Sequence, residues 1–532
     1  MEHPVARRLS RRFQIVMLLD GLLVGCATGL VITCYRLALT WAEAMLRSVL
    51  AWSQGDVLRM GLWALFVVGL LLVVTLLVWR IPSISGSGIP QVEAELEGKY
   101  QQPWALTLVG KFLVGTATTL AGLSLGREGP SIQLGGMAAK GISRGLKKPE
   151  DEEHILMTCG AAAGMSAAFH APLTGVMFAI EEIHKTFSTP LVIAVMASCI
   201  GADFVSSHVL GMKPVVTIAI YEQLPHGAYP FVLLLGVLLG LLGAAHNAGM
   251  FALQDLFAKL GGKTKLRRYA VAFGTALVLG YVAPKLLCGG EAILEPLENI
   301  DILSLRTLLG LLVAKYAFTA LCFGSGAPGG TLFPLVVLGG IAGCAFGVVV
   351  VGKFGLSQMY LANFAMLGVC GLFASVVRSP VTAVILVFEL TGSFEAFLSL
   401  SIVSICSYLV ANVTRVEPFY ERLLAALTAS SAAEQENPQV EDLVGRQLLH
   451  GHVVEIGSAL AGKALREVEW PVDALVVSIH RDGRAITPIG DTVLEPFDQI
   501  TVIMDAAHEA EDEAWLKQQC AGTTGYISEP SA

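Results

Sequence analysis

Apolar stretches about as long as a bilayer is thick recur over the first 430 positions, at residues 15–33, 61–79, 229–245, 269–283, 307–323 and 398–413. A helix needs about 20 apolar residues to cross the hydrocarbon core, so these stretches predict a polytopic, all-α membrane region. Between them lie shorter apolar pieces such as 107–125 and 172–180, interrupted by glycine and proline. Broken helices at membrane depth are tolerated only where protein covers the freed backbone or where it lines a cavity. The pattern is therefore that of a transporter or channel rather than an anchor. The pattern changes after Leu427. Residues 428–445 read as a linker rich in Ala, Ser, Glu, Asn and Pro. Residues 446–506 then carry short β-like runs at 452–456, 474–479 and 499–504, with a turn at Arg481-Asp482-Gly483-Arg484. They predict a small α/β domain, and the acidic end, 507–532, is expected to be disordered.

Composition sharpens the division. Of 532 residues, 54% are hydrophobic and 15% charged, with a mean hydropathy of +0.66; soluble domains carry about 25% charged residues. Residues 429–532 hold 6 Lys/Arg against 18 Asp/Glu, leaving 29 and 25 in residues 1–428, so the net charge of −8 comes from the tail. Arg7, Arg8, Arg11 and Arg12 precede the first apolar run, and Lys263, Lys265, Arg267 and Arg268 mark a later loop. Both are read as cytoplasmic by the positive-inside rule, and the acidic tail is assigned to the same side. Asp20 interrupts the first run, so the run is read as a span rather than a cleaved signal. The ten cysteines are scattered without a C-x-x-C pair, which predicts neither disulfides nor a zinc site. No cofactor, metal or nucleic-acid partner is expected.

The membrane region repeats. An offset of 204 places Lys111 on Lys315, Gly122 on Gly326, Gly126 on Gly330, Pro130 on Pro334 and Gly135-Gly136 on Gly339-Gly340. An offset of 208 aligns Pro172-Leu173-Thr174-Gly175-Val176 with Pro380-Val381-Thr382-Ala383-Val384, and each proline precedes a glutamate by nine residues, Glu181 and Glu389. Two homologous halves follow, about 15–210 and 228–427. Interrupted helices at matching places point to a substrate site near the bilayer midplane.

Three glycine-rich segments carry the candidate chemistry: Gly86-Ser87-Gly88-Ile89-Pro90, Gly126-Arg127-Glu128-Gly129-Pro130 and Gly329-Gly330-Thr331-Leu332-Phe333-Pro334. In each a proline falls in the first turn of a helix-compatible run, where its missing N–H costs nothing. Glycine exposes successive backbone N–H groups, and a helix N-terminus adds partial positive charge. Several such ends converging would hold an anion without a full countercharge, which suits a site that must also release it. Glu128 lies on one of these ends, and an ionisable residue within the membrane is a functional candidate. Its carboxylate can take the anion's place until protonation releases it. Arg127 is its candidate partner, and Lys111, inside an apolar run, is read as a source of positive potential on the anion path. Gly122-Leu123-Ser124-Leu125-Gly126 matches the nucleophile elbow of hydrolases in form only, since it lies in a helical apolar run rather than a strand–turn–helix setting. The chain is not read as an enzyme.

In order, spacing and flanks over about residues 15–427, these segments resemble the signature motifs of the CLC family of chloride channels and chloride/proton exchangers. The third departs from the family's Gly-x-Phe-x-Pro, with Leu332 where phenylalanine is usual. The resemblance implies inverted repeat halves and a homodimer. It implies a central anion held by the Ser87 and Tyr420 hydroxyls and by the Thr331 and Leu332 amides, with Gly86, Gly88 and Gly129 along its path. Serine at position 87 resembles chloride-preferring members. Glu128 matches the family's gating glutamate. Glu182 matches the position that receives protons from the cytoplasm in coupled members, where a bare reading of Glu181-Glu182 would give a solvated helix end. The implied function is chloride/proton antiport, with a passive chloride channel as the alternative. The tail resembles TrkA-C regulator modules over Ala474-Leu475-Val476-Val477-Ser478-Ile479-His480-Arg481-Asp482-Gly483, Ile486-Thr487-Pro488 and Gly490-Asp491-Thr492. That likeness implies regulation by a small ligand.

Overall fold

The computed structural model describes residues 4–185, 188–211, 222–259, 265–294, 304–435, 447–455, 457–471, 474–481, 484–505 and 509–521. The chain divides into two compact units, Met1–Ala429 and Ser430–Ala532.

In the first unit, seven described helices are long and apolar enough to cross a membrane: Ile15–Ser53, Val57–Arg80, Thr189–Leu210, His226–Lys259, Leu305–Gly324, Leu332–Phe354 and Gln358–Val377. The apolar runs at 269–283 and 398–413 fall on the shorter helices Leu266–Val282 and Phe397–Val413. Helix Val57–Arg80 shows why lipid is the solvent. It buries the stripe Trp63, Val67, Leu71, Val74 and Val78, yet its other faces expose Leu62, Leu65, Phe66 and Leu72. A helix apolar all round, with one packed stripe, has hydrocarbon on its remaining sides.

The repeat governs packing. Gly122 and Gly326 both adopt left-handed backbone, at φ +84° and +79°, a conformation that a side chain would strain. Lys111 and Lys315 are both fully buried. The Lys111 ammonium donates to the carbonyls of Ile84 (3.2 Å) and Gly86 (2.7 Å), and that of Lys315 to Leu286 (2.9 Å) and Cys288 (2.8 Å). In each half one broken helix, Glu128–Gly145 or Leu332–Phe354, presses glycine against glycine on its successor. A Cβ on Gly135 would collide with the Gly160 carbonyl, and one on Gly339 would lie 2.7 Å from that of Gly368. The stripe Gly339, Gly343, Gly347 is thus spent inside the chain, against Phe364 and Gly368.

A second reciprocal contact joins helices Pro172–Phe178 and Pro380–Thr391. The Glu389 carboxylate accepts the N–H groups of Leu173 (2.8 Å) and Thr174 (2.7 Å) and the Thr174 hydroxyl (2.6 Å). Glu181 accepts from Val381 (3.2 Å), Thr382 N–H (2.8 Å) and the Thr382 hydroxyl (2.7 Å). Each glutamate caps the N-terminus of the other half's helix.

Two boundaries differ from expectation. Helix Phe419–Gln435 runs eight residues beyond Leu427 into the stretch read as linker, because its Ala- and Glu-rich sequence favours helix. The acidic end is also ordered in part, as helix Glu509–Cys520, with Leu516 and Cys520 buried; positions 522–532 lie outside the described residues.

The second unit is a four-stranded antiparallel sheet ordered β1-β4-β2-β3, with β1 at Gln447–Val453, β2 at Leu475–Arg481, β3 at Arg484–Ile486 and β4 at Gln499–Asp505. Val454, Leu460, Ile479, Ile500 and Val502 form its core with Leu516 of the final helix. β2 and β3 pair through Arg481 and Arg484; Asp482 and Gly483 of the expected turn lie outside the described residues.

Candidate functional site

The three glycine-rich segments meet. Gly126 and Gly330 pair as an antiparallel bridge, Gly126 N–H to the Gly330 carbonyl at 2.6 Å and Gly330 N–H to the Gly126 carbonyl at 2.8 Å. The first segment joins the third. Gly86 N–H donates to the Gly326 carbonyl (3.3 Å), and Gly329 N–H donates to the Gly86 carbonyl (3.0 Å). Three helices start from this knot, Ile89–Leu96, Glu128–Gly145 and Leu332–Phe354. Gly88, the cap of the first, has φ +107°. It lies so close to the second helix that a Cβ would fall 2.7 Å from Gln133 Oε1 and 3.0 Å from the Gly129 carbonyl.

Glu128, fully buried, turns its carboxylate onto the third helix. Oε2 accepts the Phe333 N–H at 3.2 Å, while Oε1 has no hydrogen-bond partner among the described residues and lies 3.9 Å from Arg127 Nε. The close packing depends on Gly126, where a Cβ would lie 2.5 Å from Glu128 Oε2. Arg127 reaches outward to Glu291 at 3.2 Å and stacks over Phe333 at 5.7 Å. It is an orienting group shared between two carboxylates. Ser87 packs its hydroxyl against Gly129 and, though buried, has no hydrogen-bond partner among the described residues. Tyr420, also buried, hydrogen-bonds Thr331. Leu332 is buried at the first turn of the third helix.

The Lys111 ammonium is engaged by the Ile84 and Gly86 carbonyls, so it anchors the loop that presents Ser87. Glu182 lies in a wide π-type turn, Ala179–Ile183, continuing helix Pro172–Phe178. It is buried, Oε2 accepts the Ser379 hydroxyl at 2.9 Å, and Oε1 has no partner among the described residues. Next to it Lys185 pairs with buried Glu93 at 2.6 Å. The bare alternative of a solvated helix end does not hold for either glutamate. The hydrolase-like pentapeptide lies in the connection between helices Trp104–Leu120 and Glu128–Gly145 rather than in the helical run expected, because Gly122 turns the chain at φ +84°; its Ser124 is buried and bonded to the Thr319 hydroxyl at 2.7 Å.

Sequence reasoning missed three participants. The Phe333 amide grips the carboxylate, but its position differs from the two amides that the motif suggests. Glu291, partner of Arg127, opens the short helix Glu291–Leu294, which no motif marks. A buried polar chain backs the first segment. Lys140 pairs with Glu95, Gln102 bonds Glu95 (2.9 Å), and Gln133 bonds both Gln102 (2.6 Å) and the Ser83 carbonyl (2.8 Å). Its polar residues on otherwise apolar helices were the available signal.

Residues 68–412 match the voltage gated chloride channel family, and residues 449–516 match the TrkA-C domain. The chain belongs to the voltage gated chloride channel (CLC) family, and it is a multi-pass integral membrane protein of that family with a TrkA-C domain appended. It is 32% identical over 450 residues to the H(+)/Cl(-) exchange transporter ClcA of Citrobacter koseri, covering 82% of this chain and 95% of that one. It is 34% identical over 429 residues to the protein of the same name from Vibrio cholerae, covering 78% and 91%. Among solved structures, a slow cyanobacterial Cl-/H+ antiporter superposes with a TM-score of 0.73 at 27% identity, covering 78% of this chain and 98% of that one.

Proposed function

We propose that the chain exchanges chloride for protons across a membrane, with Glu128 as the side chain that alternates with the anion and Glu182 as the proton acceptor on the cytoplasmic side. The observation that carries this reading is the Glu128 carboxylate accepting the Phe333 amide at the head of helix Leu332–Phe354, where an anion would be held in its place. A carboxylate on such donors is an anion tethered to the protein, and protonation removes the charge that keeps it there. Chloride then meets the freed amides, the Ser87 hydroxyl and the Thr331–Tyr420 pair. Glu182, held by one oxygen on Ser379, is the second proton station. The similarity to named exchangers and to a solved antiporter supports exchange over passive conduction. Both chain ends are placed in the cytoplasm, the working unit is a homodimer, and the TrkA-C domain regulates transport through a small ligand.

The test is a liposome flux assay with purified protein. A tenfold chloride gradient supplies about 1.4 kcal/mol per ion, and internal pH is read. Exchange drives protons uphill; rapid chloride flow with flat pH would make the protein a channel. Glu128→Gln is expected to abolish proton movement while chloride still passes, and Glu182→Gln to stop protons while sparing chloride.

A further inference from the structure

Two histidines in the C-terminal domain stand where packing asks for apolar side chains. Side chains alternate along a strand, so His450, His452 and Val454 share one face of β1 and its continuation. Val454 on that face is fully buried, whereas Gly451 and Val453 on the other are exposed. The histidine face is covered by helix Glu509–Cys520, which packs against β1 and β4. On that helix Glu513, Leu516 and Cys520 fall on one stripe, and Leu516 and Cys520 are buried. Glu513 is the member of the stripe level with the histidines. One imidazole nitrogen from each histidine and one Glu513 oxygen all lie within 4.8 Å of one another, and His450 Nδ1 is 4.0 Å from Glu513 Oε1.

We propose that His450, His452 and Glu513 bind a divalent transition-metal ion of the zinc type. Two imidazoles and a carboxylate suit zinc and its neighbours, whereas magnesium and calcium prefer all-oxygen sets. Bonds of about 2.0–2.2 Å would leave a fourth position for water. The donors must draw together by roughly 1 Å to reach such bonds. Glu513 supplies the movement. Its present partner is Lys517, at 2.8 Å on the next turn, whose side chain is 63% exposed and has solvent to move into. The metal would take the place of that ammonium. It would also tie the edge strand of the sheet to the C-terminal helix, two elements far apart in sequence. The scattered cysteines, from which no zinc site was expected, have no part in it.

The test uses full-length protein bearing no histidine tag, stripped with EDTA and titrated with Zn2+ against a chromophoric chelator, with Co2+ as a spectroscopic substitute. One ion per chain is expected, with visible Co2+ bands of tetrahedral intensity. His452→Ala and Glu513→Gln are each expected to weaken binding at least tenfold. Lys517→Met, which removes only the competing cation, is expected to tighten it severalfold and guards against misreading a misfolded variant. Unchanged stoichiometry in the His450→Ala/His452→Ala double variant would overturn the proposal. So would Zn2+ affinity that is unchanged or weaker in Lys517→Met.

Discussion

The reciprocal caps of Glu181 and Glu389 allow a prediction with a built-in control. Each carboxylate accepts two backbone N–H groups and one threonine hydroxyl at the start of a helix. A hydrogen bond to a charged group contributes about 1.5–3 kcal/mol, and a helix N-terminus adds a few tenths to 1 kcal/mol more. Because both caps are partly exposed, Glu181→Ala and Glu389→Ala are each expected to cost about 2–4 kcal/mol rather than the full sum. The near-identical geometry requires the two costs to agree within about 1 kcal/mol. Unfolding of membrane proteins is seldom reversible, so the measurement is the rate of thermal inactivation in detergent. Function should separate the two variants. Glu181 caps the helix whose preceding residue, Ser379, holds Glu182. Glu181→Ala should therefore also slow proton flux, and by more than Glu389→Ala, which frees the far end of the helix that carries Glu182. Equal loss of proton flux in both, or an unaltered inactivation rate in either, would refute the reasoning.

Gly126→Ala places a methyl 2.5 Å from Glu128 Oε2 and should push the carboxylate off the Phe333 amide, lowering protons moved per chloride; Gly136→Ala, whose nearest neighbour is 3.5 Å away, is the tolerated control. Lys111→Met removes the two bonds that fix the Ser87 loop and should weaken chloride binding roughly tenfold by calorimetry, the effect of losing about one net hydrogen bond. Lys315→Met removes equivalent bonds in a loop without a serine ligand and should leave affinity unchanged. In the C-terminal domain, burial pushes the Asp498 pKa up. The Arg481 guanidinium, bonded at 2.8 and 2.7 Å, and the Glu495 amide outweigh burial and hold it below the usual range. A depressed carboxyl stabilises the fold fully above its unfolded value of about 3.9, and that contribution is lost as pH falls through the lower folded value. Asp498→Asn should cost about 2–4 kcal/mol at pH 7 and flatten the acid limb of the domain's unfolding curve, followed by Trp470 and Trp515 fluorescence.

Much of this was legible because the motifs are local. Glycine and proline spacing located the three broken helices, and the Lys111/Lys315 register gave the halves. The repeat also displayed Glu181 and Glu389 as equivalents, but an offset says which residues correspond and not which ones touch. The cross-capping needed coordinates. The Phe333 amide was hidden for a related reason: a backbone donor leaves no mark on residue identity. At the C-terminal end the acidic composition masked a helix whose Trp515, Leu516 and Cys520 already repeat at near-helical spacing. The cysteine-based expectation of no metal likewise passed over two histidines two residues apart.

The Gly126–Gly330 bridge limits how such a protein can work. Its two short hydrogen bonds lie where the halves cross, so tilting one half against the other by even an ångström would break both at once, inside a water-poor interior that offers nothing in exchange. A transporter riveted at its own fulcrum is poorly built for rocking. The movement proposed above for the Glu128 carboxylate leaves that rivet intact.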